Sequence, residues 1–182
     1  MLEVRRRVSA YMDVQLVAFP QDVWLRSNAA DNVIRALDLG VDVIGGIPHF
    51  ERAMAHGTQA VIMACELAAE RGLRVDLHCD ESDDPQSRHI ETLAEQTHRL
   101  GLQGRVTGSH LTSMHSMDNY YAAKLIELIA QSGVSAIASL VILDAQSPFE
   151  ALRRRPVRTH VISRGKVVAT TSTPQTQLSL PG

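Results

Sequence analysis

The sequence predicts an α/β protein in which a parallel sheet with crossover helices precedes a small antiparallel β appendage. Three observations carry this expectation. Strand-like apolar runs end in polar residues: 14–19 before Pro20 and Gln21, 41–47 before Pro48 and His49, 73–77 before His78, and 106–109 before His110. They recur at roughly 30 residues, the length of a strand, a crossover helix and a return. Glycines close the intervening helical stretches, at Gly40, Gly72 and Gly101, as C-terminal caps do. After Ala138 the alternation stops, and Leu140-Val141-Ile142-Leu143 leads to Pro148, Pro156 and a strand pair around Arg164-Gly165-Lys166.

Taken in order, residues 1–12 read as the end of a helix and 14–19 as a buried strand broken by Pro20. Helical spacing over 28–39 stops at Gly40 before a strand at 41–44. A long helix follows from Phe50 to Arg71, with Ala60, Met63, Ala64, Leu67 and Ala68 on its apolar side. Strand 73–78 comes next. Asp83-Asp84-Pro85 reads as a helix start, with proline at the first helical position and acids near the positive end of the dipole. That helix runs to Leu100, before a strand at 105–109, a loop through Asp118, a helix at 119–132 and a strand at 134–138. Short Gly-marked loops between such elements imply parallel strands with right-handed crossovers. The apolar run 134–143 reads as two different strands joined, and 157–171 as antiparallel hairpin structure. The divisions expected are therefore 1–138, 139–173 and a loosely held tail at 174–182.

Composition narrows the functional class. With 182 residues, 45% of them hydrophobic, the chain can bury a substantial core. The net charge of −2 and the scattered basic residues argue against a nucleic-acid surface; Arg5-Arg6-Arg7 and Arg153-Arg154-Arg155 read as solvated faces. Two cysteines, Cys65 and Cys79, make no disulfide framework and suit a reducing cytosol. No apolar run approaches membrane-spanning length, and the start Met1-Leu2-Glu3-Val4-Arg5 lacks a signal core. The expected location is the cytoplasm, without nucleic-acid or membrane partners. Walker, Gly-x-Ser-x-Gly, Gly-x-Gly-x-x-Gly, His-Glu-x-x-His and Cys-x-x-Cys motifs are all missing, which leaves nucleotide-binding and serine hydrolase readings without residues.

Polar side chains in a parallel sheet collect at the carboxyl ends of strands, where ligands bind. Gln21, His49, His78, Glu81 and His110 all fall there. Any one of them fits a hydrogen-bonded structural role; five at one rim point to a site. In Val75-Asp76-Leu77-His78-Cys79-Asp80-Glu81 a neutral imidazole can ligate a divalent metal, and a carboxylate three residues on can carry protons between water and substrate. Cys79 alternates away from His78 and is expected to pack. Asp80, Asp83 and Asp84 suit loop and cap duties. His89 and His98, within a helical stretch, are expected to face water.

Val17-Ala18-Phe19-Pro20-Gln21, Gly46-Ile47-Pro48-His49-Phe50-Glu51, His78-Cys79-Asp80-Glu81 with Gln86-Ser87-Arg88, and Ser109-His110 with Met114-His115-Ser116 together resemble the bacterial cytosine deaminases of the amidohydrolase superfamily. The resemblance extends to the tail around Phe149-Glu150-Ala151-Leu152 and Arg164-Gly165-Lys166. It implies a distorted (β/α)8 barrel holding one iron or zinc ion. In that reading His78 is a metal ligand, Glu81 is the acid/base, His110 orients the attacking water, and Gln21 grips the carbonyl and ring N–H edge of the base. Cytosine and water would yield uracil and ammonia.

The sequence departs from this family at two points. A His-x-His pair on the first strand and an Asp on the last strand complete the family's metal site, and neither occurs here; Asp144 follows a strand of the β appendage. A closed barrel takes about 250 residues and eight strands, whereas about five barrel strands are legible, so the fold expected is a partial (β/α)8 barrel plus the C-terminal antiparallel appendage. A lone imidazole holds a catalytic metal weakly, since such sites have three or more protein ligands. Little deaminase activity is expected from this chain alone. Other readings stay open: a catalytically silent protein that self-associates or aggregates through open sheet edges, a doubly wound binding domain with Gln21 and His49 in its crevice, or an amidohydrolase of another aminated or cyclic-amide substrate, such as a triazine.

Overall fold

The computed structural model describes residues 1–10, 12–21 and 23–137 in full, together with the backbone of strands at 140–143, 158–163 and 166–170. Within residues 1–137 the elements are α1 (Leu2–Val8), β1 (Val17–Ala18), α2 (Ala29–Asp38), β2 (Val43–Gly46), α3 (Met54–Arg71), β3 (Arg74–Cys79), α4 (His89–Arg99), β4 (Val106–His110), α5 (Asn119–Ser132) and β5 (Ser135–Ile137). All four strand pairings are parallel, and the strand order is β1-β2-β3-β4-β5.

That sequential order decides between two parallel architectures. A doubly wound sheet reverses direction at a switch point, whereas here every strand adds to the same side of its predecessor, as in consecutive units of a (β/α)8 barrel. Right-handed crossovers repeated in one direction put the helices on one face, and α3 packs on α4 and α4 on α5. The fold is therefore a partial barrel of five parallel strands. The doubly wound reading is set aside.

Burial alternates along the central strands. Val75, Leu77 and Cys79 of β3 and Val106 and Gly108 of β4 are buried, while Asp76 and His78, Thr107 and Ser109 are only half-buried on the opposite face. Only one face of β3 and β4 is thus buried: the side that would line a closed barrel is polar and half-open to solvent. The helix-facing side is closed. Small residues Ala60, Ala64 and Ala68 let α3 come close to the sheet, sharing a core with Ile44, Val75 and Leu77 of the strands and Ile90 and Leu93 of α4. Burying Leu77 and Leu93 completely stabilises the fold by about 2 kcal/mol each.

Some element boundaries shift for identifiable reasons. The strand expected at 14–19 contracts to Val17–Ala18, because the Leu16 N–H donates to the Asp42 carboxylate instead of a strand partner. Pro48–Phe50 forms a 3-10 turn, which delays α3 to Met54. Asp83-Asp84-Pro85 does not start a helix. Asp84 instead builds its own turn, accepting from the Gln86 and Ser87 N–H groups, and α4 begins at His89. Of the N-terminal arginines, Arg5 is no free solvated charge: it pairs with Asp42 and the Gly40 carbonyl, tying α1 to the start of β2.

The second unit is a three-stranded antiparallel sheet of β6 (Leu140–Leu143), β7 (Arg158–Ser163) and β8 (Lys166–Thr170), with register shifts at Ile142/Leu143 and Val161/Ile162. The run 134–143 accordingly divides between two sheets. Asp144, the arginines at 153–155, Arg164 and Gly165, and the tail at 174–182 lie outside the described residues.

Candidate active site

The carboxyl ends of β3 and β4 lie side by side, with Cys79 in register with His110. Each strand end turns through a left-handed residue, Asp80 (φ +60°) after β3 and His110 (φ +77°) with Leu111 (φ +56°) at the end of β4. Such conformations are uncommon for non-glycine residues, cost aspartate less than most, and concentrate at functional sites. The turns converge three side chains. His110 Nε2 lies 3.3 Å from His78 Nδ1, and His110 Nδ1 lies 3.6 Å from Glu81 Oε1. One ligand atom from each of His78, Glu81 and His110 falls within 4.8 Å of the others. The edge of Phe19 closes on the His78 ring at 4.9 Å between centroids.

This donor set suits a divalent cation. Two imidazoles and a carboxylate form a familiar catalytic zinc set with room for a further ligand, and ligand atoms about 2.1 Å from a tetrahedral ion stand about 3.4 Å apart. The two ring nitrogens stand 3.3 Å apart, a hydrogen-bond distance that is also close to that spacing, while the three donors lie within 4.8 Å of one another. Glu81, half-exposed, has the freedom to approach. His78 was the one ligand expected from sequence; the geometry adds His110 and Glu81 as available donors beside it.

Gln21 and His49 are not part of this trio. Gln21 is exposed and lines a cavity of about 440 Å³ with Phe19, Arg26 and Asn32, beside β1 and α2. His49 is half-buried, and neither ring nitrogen completes a hydrogen bond, although the His78 backbone lies close. Cys79 is fully buried, which raises its thiol pKa well above the usual range, so it packs as expected.

Behind the trio lies a buried polar knot centred on Asp80, which is 0% exposed. Asp80 Oδ1 accepts from Ser87 Oγ (2.7 Å), the His89 N–H (3.0 Å) and His89 Nδ1 (2.7 Å), while Oδ2 accepts from the Ile90 N–H (2.9 Å). The Asp80 carbonyl accepts from Ser113 N–H, and Ser113 Oγ donates to the Ser87 carbonyl. The cap of α4 is therefore Asp80, nine residues before the helix begins. His89 corrects its sequence reading: it is 2% exposed and paired with Asp80 rather than facing water. His98 is exposed as expected.

These environments set an acid sensitivity. Burial alone would raise the Asp80 pKa; the His89 ring, the Ile90 N–H and the Ser87 hydroxyl outweigh it and hold the carboxyl below its ordinary 3.8. Burial lowers the His49 pKa from 6.5, against the pull of Asp80. For both groups the unfolded chain binds the proton more readily. The stability each contributes is complete above its unfolded pKa and is lost as pH falls toward the folded value. We expect the metal-free protein's thermal midpoint to decline in two stages on acidification, first below about 6.5 and again below about 4. His49→Gln should remove the upper stage alone; an unchanged profile in that variant would contradict the assignment.

Comparison with known proteins follows the same lines. Residues 2–160 match the model of the amidohydrolase family. The chain is 29% identical over 137 residues to a pterin deaminase of Rhizobium rhizogenes and 28% identical over 138 residues to an N-isopropylammelide isopropyl amidohydrolase of Pseudomonas sp. strain ADP. Each alignment takes in 75% of this chain but only 31% and 34% of those proteins, so the chain spans about a third of their length. In structure it is similar to a 5-methylcytosine deaminase from Klebsiella pneumoniae, solved with phosphonocytosine, with a TM-score of 0.71 and 26% identity over 97% of this chain and 68% of that one. A family match that takes in both the strand-end residues and the helices that carry them leaves one assignment: this chain belongs to the amidohydrolase family.

Proposed function

We propose that this chain carries part of the site of a metal-dependent amidohydrolase that removes an exocyclic amine from a cytosine-like heterocycle. The observation behind it is the convergence of His78, Glu81 and His110 at the carboxyl edge of the parallel sheet. A zinc or iron ion held there, by His78 in the first place, would supply the Lewis acidity that brings water toward ionisation near neutral pH. Glu81 takes one proton from the attacking water and gives it to the ring nitrogen, then carries the second, from the resulting hydroxyl, to the departing amine. The C–O bond forms first, giving a tetrahedral adduct, and the C–N bond then breaks, so that cytosine would give uracil and ammonia. His110 orients the attacking water, and Gln21, two residues beyond the Phe19 that touches His78, offers an amide that matches the carbonyl and N–H edge of a pyrimidine.

The same reading gives residues 139–173 the place of the family's C-terminal β portion, and two buried free thiols suit the cytoplasm. It also makes the isolated chain a weak enzyme, since the family's His-x-His pair and last-strand Asp are missing from this sequence. A second reading, self-association without turnover, is favoured by β5, whose Ser135, Ala136 and Ile137 are all exposed at the sheet edge.

Metal content and ammonia release together test the proposal. The purified chain should hold well under one equivalent of zinc or iron and release ammonia from cytosine slowly, faster with added zinc. Glu81→Gln should lower that release by about 100-fold or more; zinc uptake within twofold of the parent then places Glu81 as the acid/base, and a large loss of uptake places it among the ligands. A full equivalent of tightly held metal would overturn the weak-site argument. No zinc uptake at millimolar zinc would overturn the metal reading, and an oligomer without metal or turnover would favour self-association.

A further inference from the structure

We propose that the buried Asp80–His89 pair is the positioning device of this site, holding the ends of β3 and β4 so that His78, Glu81 and His110 share one point in space. The metal half of this inference rests on the function proposed above; the geometric half does not.

Asp80 stands between His78 and Glu81 in sequence, in a left-handed conformation that redirects the chain two residues after the first and just before the second. Its carboxylate fixes the far end of the loop that carries Glu81, through Ser87, His89 and Ile90. Its carbonyl fixes the loop that follows His110, through Ser113. A second tie runs from Leu111 N–H to the Cys79 carbonyl. One buried residue therefore anchors the backbone on both sides of the 3.3 Å gap between His78 and His110. His110 and Glu81 are themselves partly exposed, so their separation depends largely on the backbone beneath them.

His89 is the member of the pair that can be varied without touching the trio's own turn. Its Nδ1–H lies 2.7 Å from Asp80 Oδ1. The amide N–H of asparagine occupies nearly the position of Nδ1, whereas leucine offers no donor. His89 supplies nothing to the trio directly. An effect of its substitution on the trio therefore reports positioning, and rescue by asparagine separates the hydrogen bond from ring volume.

The test uses the whole chain, with His89→Leu, His89→Asn and Val61→Ala. Val61 is fully buried in α3, outside the knot, so its truncation lowers stability without touching Asp80. Two measurements are made below each variant's unfolding temperature. The first is the nuclear Overhauser effect between carbon-bound ring protons of His78 and His110 in metal-free protein, whose ring centroids are 4.7 Å apart. The second is zinc affinity by competition with a chromophoric chelator. We expect His89→Leu to lose the ring contact and to bind zinc 10–100-fold more weakly, the usual penalty for losing an outer-shell support. His89→Asn and Val61→Ala should keep the contact and bind within threefold of the parent. Retention of the ring contact in His89→Leu overturns the proposal, as does an equal loss of contact in Val61→Ala. Should the parent take up no zinc, the metal reading fails by itself, and the ring contact alone decides the positioning role. If His89→Leu does not fold, loss of the ring contact in folded His89→Asn, the donor-preserving variant, overturns the proposal, and its retention there beside a lost contact in folded Asp80→Asn supports it.

Discussion

Asp80→Ala should destabilise the unit formed by residues 1–137 by about 3–5 kcal/mol, the cost of stripping one partner from a buried, hydrogen-bonded pair. The carboxylate is fully buried and accepts four hydrogen bonds, from Ser87 Oγ, the His89 and Ile90 N–H groups and His89 Nδ1. Alanine leaves all four donors in a site with no solvent to replace the lost acceptor, and each unsatisfied group costs about 1–3 kcal/mol before relaxation. The backbone adds to this. At φ +60° alanine pays a left-handed penalty that aspartate and asparagine largely escape. Relaxation of the loop 81–88 toward solvent offsets part of the sum, which keeps the expected loss near the lower of the additive figures. Because a domain's net stability is about 5–15 kcal/mol, the variant should unfold at markedly lower denaturant concentration with little change in slope. Asp80→Asn keeps one acceptor and the backbone tolerance, and should cost about 2 kcal/mol. Urea titrations of the three proteins decide it; a loss below about 1 kcal/mol in Asp80→Ala would show that the knot is not a stabilising element.

The alternation of strands and helices was legible in the sequence because it rests on short-range chemistry. Gly40 and Gly72 do end α2 and α3, and Asn119–Ser132 has the predicted bounds because Asp118 caps it through the Tyr121 N–H. What escaped was set by contacts distant in sequence. Asp83-Asp84-Pro85 has good helix-start chemistry, yet Asp80 captures the His89 and Ile90 N–H groups and the helix begins there. No rule of spacing places a cap nine residues ahead of its helix. His89 was misread for the same reason, since helical position does not reveal an acid waiting on a neighbouring strand end.

The candidate site divides along the same line. Of the five strand-end residues expected at one rim, the structure brings His78, Glu81 and His110 together, because in-register parallel strands set equivalent ends side by side. Gln21 and His49 sit at the ends of β1 and β2 as expected, but strand position does not fix where a side chain points beyond the strand. The polar, half-open face of β3 and β4 was not foreseen either, because apolar content along a strand reports the helix-covered side. Asp76 and Ser109, hydrogen-bonded across that face at 3.3 Å, mark where a closed barrel would hold its interior.

Gly57→Ala should be destabilising by about 2–4 kcal/mol, although helix propensity alone would make it stabilising by up to about 1 kcal/mol. Gly57 is buried in the first turns of α3, where a Cβ would stand 2.0 Å from His89 Nε2 and 2.6 Å from the Pro48 carbonyl oxygen. Neither neighbour yields easily. The Pro48 carbonyl belongs to backbone held by the Glu51 N–H, and the His89 ring can withdraw only by giving up its bond to Asp80. That bond, to a charged acceptor, is worth about 1.5–3 kcal/mol, and forcing a methyl into a filled space costs about 1–3 kcal/mol. Together these exceed the gain in propensity, so the clash wins. A double-mutant cycle isolates the route. In a His89→Ala background the nearest obstacle is gone, and the same Gly57→Ala change should cost at least about 1 kcal/mol less, a coupling expected of residues in contact. Equal costs in both backgrounds would place the strain on the Pro48 turn alone and leave His89 uninvolved.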